Sequence, residues 1–76
     1  MKSLDALRRM MEGTGTGKVA LSRAMGRTRG YIGSTLYNGG DLKVGTLAEA
    51  ASAMGYELVL EGHGERISLD GPRSAS

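Results

Sequence analysis

The sequence predicts a mainly α-helical domain of four helices, five at most, that ends in a C-terminal β-strand or β-hairpin. Three observations lead there. Apolar residues recur at three- and four-residue intervals in successive segments, the mark of helices with one buried face. Glycines at 13, 26, 39, 40 and 55 punctuate those segments. Beyond Gly55 the period drops to two, which is strand patterning.

The first helix is predicted over Ser3–Glu12, where Leu4, Leu7 and Met11 share a face with Met10 beside them. Ser3 is placed to cap it, Asp5 lies in its first turn, and Gly13 is placed to stop it. The glycine-threonine alternation of 13–17 reads as a connector. It is not a phosphate-binding P-loop, because Glu12 stands where the first glycine is needed and Val19 follows Lys18 where Ser or Thr is needed. It also fails as a dinucleotide fingerprint, since no strand precedes it. A second helix is predicted over Lys18–Met25, with Leu21, Ala24 and Met25 inward and Gly26 as a left-handed stop. A third is predicted over Thr28–Tyr37, with Thr28 as N-cap and Ile32 and Leu36 four apart on its inner face. The Asn38–Asp41 stretch reads as a loop. Thr46 and Glu49 have capping-box spacing at the start of a fourth helix, whose buried stripe is Leu47, Ala50, Ala51 and Met54.

From Tyr56 to Glu61 the residues Tyr56, Leu58 and Leu60 fall on one face and Glu57, Val59 and Glu61 on the other. Gly62–Gly64 is a turn with His63 exposed, and Glu65–Leu69 is a second, weaker strand. The expected organisation is a helical unit over 1–55, a strand or hairpin over 56–69, and a disordered tail over 70–76.

Composition narrows the function. The 76 residues suffice for one domain. The chain has no cysteine and one histidine, so neither a disulfide framework nor a zinc site is expected, no nucleophile–base pair can be drawn, and an enzyme and a cofactor are not expected. The five methionines read as core filler. No run is long and apolar enough for a membrane span and the N-terminus has no signal-peptide core, so a cytoplasmic protein is expected, associated with the nucleoid if it binds DNA. Residues 1–43 hold eight Lys and Arg against three acids, a charge of +5; residues 44–76 hold two against five, a charge of −3. Such asymmetry points toward a nucleic-acid partner, or toward ordinary surface charge.

Two short helices joined by a turn containing Gly26 match the helix-turn-helix layout. There the first helix braces the second, and the second enters the major groove. The second must bury one apolar face and present small or polar residues on the other. Thr28–Tyr37 has Ile32 and Leu36 for the first task and Arg29, Gly30, Gly33, Ser34 and Tyr37 for the second. Each mid-helix glycine costs about 1 kcal/mol against alanine. Gly30 and Gly33 therefore mark either a loop or a helix that approaches its ligand closely.

Residues 18–60 resemble the phage-repressor-like helix-turn-helix family, the XRE-type group that includes the lambda repressor and Cro. The resemblance lies in LSRAMG at 21–26, RTRGYIGSTLYN at 27–38, GTLAEAA at 45–51, and Met54-Gly55. Met25 and Ser22 depart from the Leu and Ala usual in the family. The resemblance implies a lambda-repressor-like domain that binds double-stranded DNA, with Thr28–Tyr37 as recognition helix. It implies base readout by Arg29, Gly30, Gly33 and Ser34, with Arg29 suited to guanine and alternatively a phosphate ligand. It implies backbone contacts by Lys18, Arg27, Thr28, Tyr37, Asn38 and Lys43, with Tyr37 divided between contact and packing. Tyr31 is expected to pack, and Arg8, Arg9 and Arg23 to be solvated.

One short helix reads few base pairs, so a homodimer on a palindromic operator is expected, its half-sites about 34 Å apart. The strand residues Tyr56, Leu58, Val59 and Leu60 are the expected dimer contact, or else pack privately on the chain's own helices. The function expected is a transcriptional regulator, a repressor acting by occupancy. The alternatives are a DNA-binding antitoxin with a toxin protein as partner, and a protein-interaction module without DNA binding.

Overall fold

A computed structural model describes residues 1–69 of the chain. Four helices come first: α1 over Ser3–Thr14, α2 over Lys18–Ala24, α3 over Tyr31–Asn38 and α4 over Val44–Ala53. Strands β1 (Leu58–Gly62) and β2 (Glu65–Leu69) follow as an antiparallel hairpin. The described residues thus contain four helices and a full hairpin. The expected tail, 70–76, lies outside them. No helix among the described residues is long and apolar enough to cross a membrane.

The predicted inner faces form one core, except that Ala24, expected inward on α2, is exposed. Leu4, Leu7 and Met11 of α1 meet Leu21 of α2, Met25, Ile32 of α3 and Ala50 of α4, with Met10, Tyr31, Leu36, Leu42 and Met54 packed around them. Burying an aliphatic side chain of this size contributes about 1.5–3 kcal/mol. That contribution matters most for α3, whose eight residues are too few to hold a helix unaided.

Helix ends follow one device three times. Gly15, Gly26 and Gly55 each adopt positive φ, at 68°, 72° and 81°. At each, the glycine amide and the next amide donate back into the helix: Gly15 to Glu12 and Thr16 to Met11, Gly26 to Arg23 and Arg27 to Ser22, Gly55 to Ser52 and Tyr56 to Ala51. These are Schellman closures, which occupy the last carbonyls and turn the chain sharply.

Five local expectations are corrected. Gly13 does not stop α1, which runs on to Thr14. Instead, a Cβ at Gly13 would lie 2.9 Å from the Tyr56 hydroxyl, so the bare glycine leaves room for the phenol. Ser3 does not cap α1, because Lys2 holds the cap position; the Ser3 hydroxyl accepts the Leu42 amide at 2.8 Å and ties down the α3–α4 loop. Thr46 does not cap α4, which already starts at Val44 with Lys43 at the cap; its presumed partner Glu49 is bound to Arg27. Tyr56 precedes β1 because it completes the closure of α4. Thr28 does not cap the third helix, which starts at Tyr31 with Gly30 at its cap; Thr28–Tyr31 is instead a turn closed by the Tyr31 amide on the Thr28 carbonyl at 3.0 Å.

Gly30 has no side chain to cap α3, and Ser22 supplies the missing acceptor. The Ser22 hydroxyl is fully buried, donates to the Lys18 carbonyl at 2.8 Å and accepts the Ile32 amide at 3.0 Å. A helix leaves its first amides without internal partners. One of those on α3 is therefore satisfied from α2.

The hairpin turns at His63 and Gly64, both at positive φ (51° and 74°), as a two-residue type I′ turn requires. Leu58 faces Leu69 and Leu60 faces Ile67, so these four share one face. Beside the strands, Glu57 accepts hydrogen bonds from the Ser68 hydroxyl and from Arg66. The Ser68 hydrogen bond, and then the Arg66 charge, hold the Glu57 carboxyl below its ordinary value.

Two predictions follow from these contacts. Ser22→Ala leaves the Ile32 amide buried without an acceptor, which costs about 1–3 kcal/mol; urea unfolding should show that loss at unchanged m-value. A depressed carboxylate stabilises above its unfolded pKa, and that contribution disappears as pH falls through the folded value. Acidification below about pH 4.3, the ordinary glutamate value, should therefore loosen the hairpin, and Glu57→Gln should remove that part of the pH dependence in amide exchange of 58–69.

Candidate nucleic-acid interface

From Gly13 to Gly40 the chain carries Lys18, Arg23, Arg27 and Arg29 and no acid. This stretch is the α1–α2 connector, α2, the intervening turn and α3. Folding packs α2 against α3 through Leu21, Met25 and Ile32. Ile32 is fully buried and Leu36 half-buried, which leaves the opposite side of α3 to solvent. Ser34, Tyr37 and Asn38 lie on that side at i, i+3 and i+4 and are all exposed. Tyr37 is 91% exposed, so its ring is not part of the core.

Gly33 is half-buried because Lys18 lies across it: a Cβ there would sit 3.9 Å from Lys18 Cδ. The lysine is thereby carried to the edge of the α3 face while its side chain remains exposed. Arg8, read from sequence as solvated surface, lines the same open cleft as Lys18, together with Met11, the acid Glu12, Thr16 and Leu36. Thr28, Arg29 and Gly30 are exposed in the turn before α3 and not in the helix. Gly30 is therefore not a mid-helix glycine, whereas Gly33 is. Lys43 is exposed at the start of α4, on the loop that Ser3 tethers. Among the described residues, Lys18, Arg23, Arg29 and Lys43 form no ion pair.

Arg27 is different. Its Nη2 donates to Glu49 Oε1 at 3.0 Å, and its guanidinium lies 4.9 Å from the centroid of the Tyr31 ring. Glu49 is only 7% exposed while the Arg27 side chain is 41% exposed. A pair of this kind gains more than a surface pair, because one partner would be left charged and nearly buried without it. The guanidinium expected on phosphate is thus already held by α4. Tyr31 is half-buried and packs on the core, in line with the sequence reading.

The expected dimer residues are dispersed. Tyr56 reaches back to Gly13 of α1, Leu58 and Val59 are half-buried, and Leu60 is 55% exposed. Its cross-strand partner Ile67, not among the expected dimer residues, is 49% exposed beside it.

The arrangement offers a convex helix face bearing a hydroxyl, a phenol and an amide, with unpaired cations at its edges. Such a face can exchange hydrogen bonds with a polar groove and neutralise anions on either side. Among the described residues no group of three or more His, Asp or Glu is placed to hold a metal ion. Sequence reasoning passed over Ser22 and Glu49 as supporting groups. A signal for Ser22 was present: a serine inside a helix tends to bond the backbone, and the glycine at the start of α3 left an amide to be bonded.

Gly33 provides a direct check on the helix. A Cβ there makes only ordinary contact, so Gly33→Ala should stabilise the fold by about 1 kcal/mol, read as a raised midpoint of thermal or urea unfolding. Compared with known proteins, the chain matches no family model, no curated protein and no solved structure.

Proposed function

We propose that the chain is a sequence-specific double-stranded DNA-binding regulator of the phage-repressor-like kind, with α3 lying in the major groove and α2 bracing it. The observation that carries this reading is the exposed, polar face of α3, formed by Ser34, Tyr37 and Asn38 and set within a stretch of four cations and no acid. A major groove admits one helix, and a helix enters it most deeply where its outward side chains are short. Ser34 meets that requirement, and Gly33 beside it, covered by Lys18, adds no bulk of its own. Arg29, at the tip of the turn before α3, is assigned to guanine O6 and N7. Ser34 is assigned to a base edge. Lys18, Tyr37, Asn38 and Lys43 are assigned to phosphates, and Thr28 to the backbone beside Arg29. The resemblance of residues 18–60 to the family supports the same assignments.

A homodimer on a palindromic site is part of the proposal, because a single two-turn helix spans few base pairs. The half-exposed Leu60 and Ile67, paired across the hairpin, are the assigned contact with the second copy. Bound in this way, the protein represses by occupying its operator.

Selection from a random DNA pool tests the proposal. The expected product is a palindrome with half-sites about one helical turn apart. Arg29→Ala should then lose about 1–3 kcal/mol of discrimination at one base pair per half-site. Equal loss on every sequence would demote Arg29 to a phosphate ligand. A pool with no enriched sequence would overturn the regulator reading.

A further inference from the structure

Arg27 directly precedes the exposed Thr28–Gly30 turn, and both ends of that turn are anchored. On the near side the Arg27 amide donates to the Ser22 carbonyl at 2.9 Å, and its guanidinium is bound to Glu49 at 3.0 Å. On the far side the Tyr31 amide closes on Thr28, and the Ile32 amide is held by the Ser22 hydroxyl. The Tyr31 ring lies under the Arg27 guanidinium, so the two ends also touch each other. Arg29 is therefore carried on a three-residue tip fastened to α2 and to α4.

We propose that Arg27 is a positioning residue and not a phosphate ligand: clamped by Glu49 and stacked on Tyr31, it fixes the path of the 28–30 turn and so the direction of Arg29. This rests on the DNA-binding reading above. The chemistry favours positioning over contact. Moving the guanidinium onto a phosphate would strip the charge partner from Glu49, which sits at 7% exposure. It would also give up the ring contact. Lys18, Arg29 and Lys43 have no such prior commitment among the described residues.

The two roles predict opposite responses to Glu49→Gln, a change that removes no group facing DNA. A positioning role predicts that affinity for the selected palindrome falls about tenfold, mainly through lost discrimination at the Arg29 base pair, while the salt dependence keeps its slope. A phosphate role predicts the reverse: a guanidinium released from its carboxylate binds DNA at least as tightly, with discrimination at the Arg29 base pair intact, and that result would overturn the proposal. Arg27→Gln gives the second arm. The proposal expects an unchanged slope of log K against log salt; a slope shallower by about 0.9 for each lost contact would overturn it. Circular dichroism establishes that each variant is folded. Should either unfold, Arg27→Met with Glu49→Met removes both charges together, a replacement that folded proteins commonly tolerate, and the same slope criterion applies. Failure of the wild-type chain to enrich any sequence would be seen before these variants are made, and would overturn the DNA reading itself.

Discussion

The Ser22 hydroxyl lies between two short helices and hydrogen-bonds to both, giving its proton to the Lys18 carbonyl and taking the Ile32 amide. Neither helix is stable alone. α2 has seven residues and α3 eight, below the length at which a helix persists in water. Ile32 drives α3 onto Leu21 and Met25, but apolar contact is non-directional and would tolerate rotation of α3 about its axis. A buried hydrogen bond is directional. It fixes which amide of α3 meets which side chain of α2, and so which side of α3 faces outward. Ser34, Tyr37 and Asn38 are exposed as a consequence of where Ser22 holds Ile32.

A second, electrostatic constraint acts at the same joint from the other side. Glu49 is nearly buried in α4 and requires a cation. Arg27 meets that need from the residue just after the glycine closure of α2, and its guanidinium covers the Tyr31 ring. The joint between α2 and α3 is thus fixed by a neutral hydrogen bond on one flank and an ion pair on the other. The sharp turn at Gly26 makes both possible, because it brings residue 27 back over the end of α2. The acid that stabilises this joint comes from α4, outside the acid-free stretch, and it engages Arg27 while Arg29 in the turn beside it forms no ion pair among the described residues.

Local periodicity made the fold legible. The four helices, the inward placement of Ile32 and Leu36, the stops at Gly26 and Gly55, and the turn at His63-Gly64 all express short-range spacing. The capping assignments did not survive. Ser3, Thr28 and Thr46 each stood at a plausible cap, but α3 and α4 begin elsewhere, at Tyr31 and Val44, and two of the capping groups are taken by distant partners. Ser3 bonds an amide 39 residues away, and Glu49 pairs with a guanidinium 22 residues away. Gly13 misled because three glycines follow one another at two-residue intervals, and only the closing geometry selects Gly15. In the candidate site, exposure of Ser34, Tyr37 and Asn38 was readable from helical spacing. The commitment of Arg27 was not, since nothing in the sequence near it names Glu49.

The shortness of the side chains on the first turn of α3 has a mechanical consequence under the proposed function. A long arginine or glutamine on a recognition helix can search for its base and compensate for a small error in docking. Gly33 has no reach and Ser34 very little, so the first turn of α3 can contact a groove only if its backbone is placed accurately; Tyr37, the long side chain of the face, stands a turn later. Within the turn and α3, the one long cationic side chain without a partner among the described residues is Arg29, and it stands on the turn before the helix. Discrimination then depends on the orientation of the turn and of the helix axis more than on side-chain contacts along α3. The groups that set that orientation, Ser22, Arg27, Tyr31 and Glu49, would be determinants of specificity without touching a base. Much of the structural cost of reading DNA with so few side chains is thereby moved behind the contact face, where a buried hydrogen bond and a half-shielded ion pair hold geometry more tightly than fully exposed groups do.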